Sequence, residues 1–490
     1  MDFSLKQYSA DYYKRLPGTA SVSEYTADAV VPDTQEDIAR IIGVTGCAKV
    51  RSKDARAGTA MLTGEVSACV MYVPESGQGV SVLNVAVPFT AEQPFAGGDD
   101  ALPVSSVRLT SLSAGMLNPR KVLVKAELGS TSDVYVKSVL NWYGEPEDGR
   151  ENGLRVRCAQ TGVMLPAAVV EKSFVVSDEL QLPAGKPAPD KLLAAGAEVR
   201  ITETQNVGGK LIMKGVVRTE MFYAPSDGGM PEYAAAETQF SQLMETAGGE
   251  AFEITPMLTD AYIELVTSGS GEAAVSLEAH IVAQTVCMTN VDISYISDAY
   301  CVRSPLSVQR ESICAQSEVS CEALHAAARA QFEFQRPCAA VVGTQAWTGR
   351  MTGSAAAELI ISVMYQADDG LLYADAFRMT VETECPEGCV CTAVAVTDLA
   401  AIPAGMSVEV RVQADFTVRR AASMEISAVV AAQTDDDAPI GRRPSVTVVR
   451  AETDDLWLIA KKYRSDADDI AACNGIEGQD ITAGMILLIP

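Results

Sequence analysis

Groups that could do chemistry are sparse in this chain and poorly spaced for it. There are two histidines, His280 and His325, far apart and in no motif. A Ser-His-Asp or Cys-His arrangement therefore has little support. No Gly-rich phosphate loop, G-x-S-x-G elbow or H-E-x-x-H is present. The stretch ECPEGCVC gathers Cys385, Cys389 and Cys391. A zinc site would want a fourth ligand and commonly C-x2-C pairs, and neither histidine is near, so these read as ordinary thiols in a turn and a strand. With 64 acidic residues, chance pairs of carboxylates are inevitable and do not by themselves argue for glycoside hydrolysis. The expectation is a protein that is no enzyme and takes no cofactor and no metal.

Composition bounds the rest. Of 490 residues, 48% are hydrophobic and 21% charged, which describes a globular chain with ample core. The length suggests three or four domains. The net charge is -26, and no Lys/Arg block offsets it, so nucleic acid and acidic membranes are poor partners. The N-terminal MDFSLKQYSADYYKRLPG carries charges throughout and lacks the apolar core of a signal peptide. No stretch approaches the roughly 18 to 20 apolar residues of a membrane span. A cytoplasmic protein is expected. The twelve cysteines fit that compartment, because they are scattered and mostly set in apolar runs.

The elements that would position any site come from a threefold repeat. TGEVSACVMYVPESG (63–77), KGVVRTEMFYAPSDG (214–228) and AAELIISVMYQADDG (356–370) align on Tyr72, Tyr223 and Tyr365. Stepping back by twos from each tyrosine gives a largely apolar face, the signature of a β-strand. Five residues after each tyrosine stands Gly77, Gly228 or Gly370, suited to the positive φ of a hairpin turn. A second signature, apolar at every other position, recurs at Val122–Leu128, Val275–Ile281 and Val410–Phe416. His280 falls on its polar side and reads as a solvent-facing strand residue. The interval between copies is domain-sized.

These patterns predict a mainly β protein: three tandem β-rich domains, sandwich or barrel-like, with short helices. The clearest predicted helix is VPDTQEDIARIIG (31–43). Asp33 and Glu36 would form its capping box, Ile38, Ile41 and Ile42 one face, and Gly43 its end. GKPAPDKLLAAG (185–196) is its shorter counterpart in the second copy. The third copy lacks an obvious equivalent. QTDDDAPIGRRP (433–444) reads as a linker.

The tail is separately punctuated. SVTVVR is a β-branched run. DDLWLIAKKY is a helix, with Asp454 as N-cap, an apolar stripe of Leu456, Ile459, Ala460 and Tyr463, and Lys461 and Lys462 near its end. A second helix starts at Asp466, turns Ile470 and Cys473 to the core and ends at Asn474-Gly475. GMILLIP closes a β-α-α-β order. Trp457 could serve as a sugar-stacking platform, but a domain this small needs its buried area, so a core role is expected.

LWLIAKKY, DDIAACNGI and ITAGMILLIP, in this order, resemble the LysM domain, whose members bind N-acetylglucosamine-containing glycans such as peptidoglycan and chitin. The resemblance implies a glycan lying across two loops, here Thr453, Asp454, Asp455 and Leu456, with Asn474, Gly475 and Ile476. The family usually has Gly-Asp-Thr or Gly-Asp-Ser before its Leu-Trp pair, whereas this chain has Thr453-Asp454-Asp455; a protein partner is the alternative. VVPDTQEDIARIIGV, AKVRS, GEVSACVMYV and NPRKVLVKAEL resemble the SPOCS domain of spore-coat proteins. Together these resemblances imply residues 1–24 as an N-terminal segment, SPOCS-like repeats at 25–165, 166–300 and 301–432, and a LysM domain at 445–490. They imply a non-enzymatic spore-envelope protein at the forespore surface inside the mother cell. Its partners would be spore coat proteins or an N-acetylglucosamine-containing glycan. A general peptidoglycan- or chitin-binding wall protein is the rival.

Overall fold

A computed structural model describes residues 2–490 apart from 78, 99, 148–151, 181, 184, 247, 268–272, 353, 354, 435–445 and 478–479. Most of the expected 433–444 linker lies outside the described residues. No described helix is long and apolar enough to cross a membrane.

The chain is mainly β. Strand β1 is Asp2–Phe3, and the first repeat follows with β2 (Leu5–Leu16), β3 (Ser21–Val30), β4 (Ile38–Arg56), β5 (Thr59–Pro74), β6 (Ser81–Pro94), β7 (Leu102–Asn118) and β8 (Lys121–Pro146). The second repeat comprises β9 (Leu154–Leu180), β10 (Pro189–Val207), β11 (Lys210–Pro225), β12 (Glu232–Glu245), β13 (Ala251–Thr267) and β14 (Ala273–Cys301). The third comprises β15 (Leu306–Thr352), β16 (Ala356–Ala367), β17 (Leu372–Glu382) and β18 (Cys389–Thr434). After it come β19 (Thr447–Arg450), α1 (Leu456–Tyr463), α2 (Ala467–Asn474) and β20 (Ile486–Ile489). β2 lies before residue 25, where the resemblance would open the first unit, and the third unit opens at Leu306. β2 and β3 pair with β8, and β9 runs through the 165/166 boundary.

Each repeat holds an antiparallel three-stranded sheet, β4-β5-β6, β10-β11-β12, or the second half of β15 with β16-β17. The aligned tyrosines lie on the middle strands, and all three are fully buried. Their hydroxyls stay satisfied, as buried polar groups must. Tyr72 donates to Gln35 Oε1 at 2.9 Å, Tyr223 to Pro187 O at 3.0 Å and Tyr365 to Asp375 Oδ2 at 3.0 Å. Gly77, Gly228 and Gly370 adopt φ of 73°, 74° and 78° in the turns that follow. Against each sheet packs a strand bearing the second signature. Val122, Val124, Ala126 and Leu128 face one core, Val275, Leu277, Ala279 and Ile281 another, and Val410, Val412, Ala414 and Phe416 the third.

No helix forms at 31–43 or 185–196. Residues 38–56 are β4, and Pro189 opens β10. Instead of capping, Asp33 pairs with Arg120 at 3.0 Å and Glu36 accepts from Ser76 N at 3.1 Å, and the amides of Val31 and Ile38 donate to Arg120 O and Pro119 O. The helix-like spacing has a different cause. β4 carries bulges between Ile38 and Arg40 and between Ile41 and Gly43. A bulge inserts an extra residue, so side chains three apart share a face. Ile38 and Ile41 accordingly face the first core, while Ile42 turns to the other side. The same pair of bulges recurs at Pro189/Lys191 and Leu192/Ala194, and at Cys338/Ala340 and Val341/Gly343. In each repeat the residue entering the second bulge pairs with the tyrosine: Ile41 with Tyr72, Leu192 with Tyr223, Val341 with Tyr365. The third repeat thus has the same element, although its sequence does not announce it.

The outer faces of the three sheets meet in one buried cluster. It takes Ile42, Met71 and Val73 from the first repeat, Leu193, Ala194 and Phe222 from the second, and Met364 and Leu372 from the third. The contacts are cyclic, which makes the head pseudo-threefold. A Cβ on Gly43 would lie 2.9 Å from Met364 Cε, and one on Gly343 would lie 2.5 Å from Phe222 Cε1. Thr45 and Gln345, both buried, hydrogen-bond to each other, and Gly196 would set a Cβ 3.0 Å from Gly46 O. Away from the head, paired ribbons from the three repeats join around Trp142, Val163, Leu165, Ile293 and Ile426 as a stalk.

Gly343→Val should test this closure. The added side chain meets Phe222 and Tyr233 Cβ, and overpacking of this kind costs about 1–3 kcal/mol or more. A lowered midpoint in chemical denaturation is the expected result.

Candidate functional site

The tail folds as β-α-α-β, with β19 and β20 antiparallel and Leu456, Trp457, Ile459, Ala460, Ile470 and Leu487 in its core. The N-cap of α1 is Asp455, not Asp454. Asp455 has extended φ/ψ and its Oδ1 accepts from Trp457 N at 3.0 Å, which satisfies a donor that the first helical turn leaves free. An isolated bridge to Asp480 fixes Asp455 in that extended form. Asp466 caps α2 by accepting from Asp468 N at 2.9 Å, and Gly475 ends it at φ 63°. Cys473 is exposed rather than facing the core. The buried stripe of α2 runs through Ala467, Ile470 and Ala471, and at 100° per residue Cys473 falls off its edge while Asn474 falls on it.

Of the seven loop residues, several are occupied by structure. Leu456 is 1% exposed. The Asn474 amide donates to Ile470 O at 2.8 Å and Leu488 O at 2.7 Å, and its Oδ1 accepts from Leu488 N at 2.8 Å. It ties α2 to β20 and has little left for a ligand. Thr453 Oγ1 accepts from Asp455 N at 3.4 Å. Asp454 and Gly475 are exposed, and Ile476 is half-buried against the module core. The two loops flank that core, and the open groups are the Asp454 carboxylate, the Gly475 backbone and one face of Ile476.

The module sits on the far end of the stalk. Trp457 is 8% exposed and is not a free platform. Its ring lies edge-on to Tyr300 at 4.8 Å, and its Nε1 donates to Asp298 Oδ2 at 2.9 Å. Asp298 also receives Lys461 Nζ at 2.6 Å and, from the third repeat, Arg310 at 2.8 Å. Burial pushes the Asp298 carboxyl up, but the hydrogen bonds from Lys461 and Trp457 outweigh it and hold the group below the usual carboxylate range. Tyr300 donates to Ser465 O at 2.9 Å, and burial lifts its phenol to about 12. Arg155 reaches Asp466 at 2.5 Å and Arg157 reaches Asp455 at 2.7 Å. Sequence reasoning missed these body residues. They lie far from the tail along the chain, and nothing in their spacing refers to it.

Two outcomes are expected. Asn474→Ala leaves backbone groups of β20 without partners, so the module should lose about 1–3 kcal/mol, seen as faster amide exchange at 486–489. Because Asp298 has a depressed folded pKa, its contribution is full above the ordinary carboxylate value. It is lost as pH falls through the folded one. Acidification below about pH 4 should therefore loosen the module, whereas in Asp298→Asn that acid-dependent step should shrink.

Residues 449–490 match the LysM domain model. None of the curated proteins and none of the solved structures matches the chain. LysM domains bind N-acetylglucosamine-containing glycans, and a LysM domain is what the last 42 residues of this chain form.

Proposed function

We propose that this protein is a non-enzymatic scaffold of the spore envelope, docked at the forespore surface within the mother cell by its LysM module. The observation that carries the docking is the LysM match at 449–490. The spore assignment rests on the resemblance of the repeats to the SPOCS domain. The ligand of the module is a peptidoglycan-type glycan or a spore coat protein. A cyclic, three-core body suits a scaffold, because it presents similar β faces in three directions and can hold partners through linked sites. A general wall-glycan protein is the second reading, and it is favoured by the LysM match taken alone.

A fluorescent fusion followed through starvation in the native host separates the two. A ring around the forespore that disperses when residues 445–490 are deleted is the expected outcome. A uniform signal at the vegetative wall would replace the spore reading with the second. A forespore ring that survives the deletion would remove the docking role from the module.

A further inference from the structure

The first LysM loop and the seat on the body draw on the same groups. Asp455 has two carboxylate oxygens: Oδ1 caps α1 through Trp457 N, and Oδ2 is held by Arg157 at 2.7 Å. Each oxygen thus already holds one donor, and the Arg157 guanidinium crowds the approach of a sugar hydroxyl to Oδ2. The neighbouring Trp457 is covered by Tyr300 and tethered to Asp298. The seated module therefore turns Asp455 and Trp457 to the body and leaves Asp454 outward.

The seat joins an apolar contact to several ion pairs. Its apolar part is Tyr300 and Val302 against the module core. The rest is ionic: Arg155 and Arg157 of the body hold Asp466 and Asp455, and Asp298 of the body holds Lys461. Arg155 and Asp466 are largely buried, whereas Arg157 is half exposed and the Lys461 side chain more than a third exposed. Pairs at that exposure are individually weak and are screened by salt. Lifting the module also uncovers Tyr300 and Trp457, so the seated form dominates until a ligand favours the lifted one.

We propose that this seat masks the LysM site: the body holds the module closed with Arg157 on Asp455 and Tyr300 on Trp457, and an N-acetylglucosamine oligomer binds at full strength only to the lifted module. The inference rests on the glycan reading of the module. A ligand that favours the lifted form shifts the population toward it, and its apparent affinity falls by the fraction of molecules lifted beforehand. Variants that weaken the seat therefore raise affinity without touching the sugar.

The test compares the full chain with its Arg157→Ala/Asp298→Ala double variant. Titration calorimetry reads affinity for the N-acetylglucosamine pentamer, and amide exchange at 456–463 reads seating. Faster exchange with affinity tightened at least about threefold is the expected result. Faster exchange with unchanged affinity overturns the mask, and weakened affinity overturns it in favour of a body that positions the loop. Unchanged exchange means that these contacts do not hold the seat, and the inference fails. No binding by either chain, with the module lifted, removes the glycan reading and this inference with it. If the double variant melts the module, Arg157→Ala alone, which removes only the exposed pair with Asp455, decides by the same readings.

Discussion

The paired bulges in β4, β10 and β15 are the constraint on which the head depends. A regular strand shows alternate side chains to two faces, and a three-stranded sheet so built would bury one face and wet the other. Here each first strand inserts an extra residue on either side of the one that pairs with the buried tyrosine. The insertions let one short run feed its own core and the shared cluster at once, with Ile41 on one side and Ile42 on the other. Small residues follow in each case, Gly43, Ala194 and Gly343, and a Cβ on either glycine would crowd the neighbouring sheet. The tyrosine hydroxyl then anchors the entry to the strand, through Gln35 in the first repeat and Pro187 O in the second.

That device also explains which part of the fold was legible. The middle strands and the second signature obey strict alternation, so period two located them. The turn glycines could be read because hairpins need positive φ. The runs at 31–43 and 185–196 mimicked a helix because a bulge converts a spacing of two into three. The capping carboxylates completed the illusion, although Asp33 pairs with Arg120 and Glu36 with the Ser76 amide. Pairing between distant strands decided the matter, and a local pattern carries no trace of a partner residue more than eighty positions away. The pseudo-threefold closure was hidden for the same reason.

In the tail the sequence spoke clearly about architecture and much less about availability. Leu456 and Asn474 stand where the family places its glycan, yet one is core and the other a clamp between α2 and β20. A motif marks a residue that the fold requires as readily as one the ligand requires. Separating the two takes a count of hydrogen bonds, and that count leaves Asp454, Gly475 and Ile476 as the open part of the site.

Asp298 links the two halves of the molecule. It lies on β14, receives Arg310 from β15, and holds both Trp457 and Lys461 of α1. A carboxylate with three donors and a side-chain exposure of 16% repays its desolvation only while the donors stay in place. Losing the module would leave it facing Arg310 alone; losing the ribbon would leave Lys461 and the indole N–H without their acceptor. Charges spread over two repeats and a helix thus hold the module against the assembled stalk. Placement of the LysM domain is for that reason a property of the folded body.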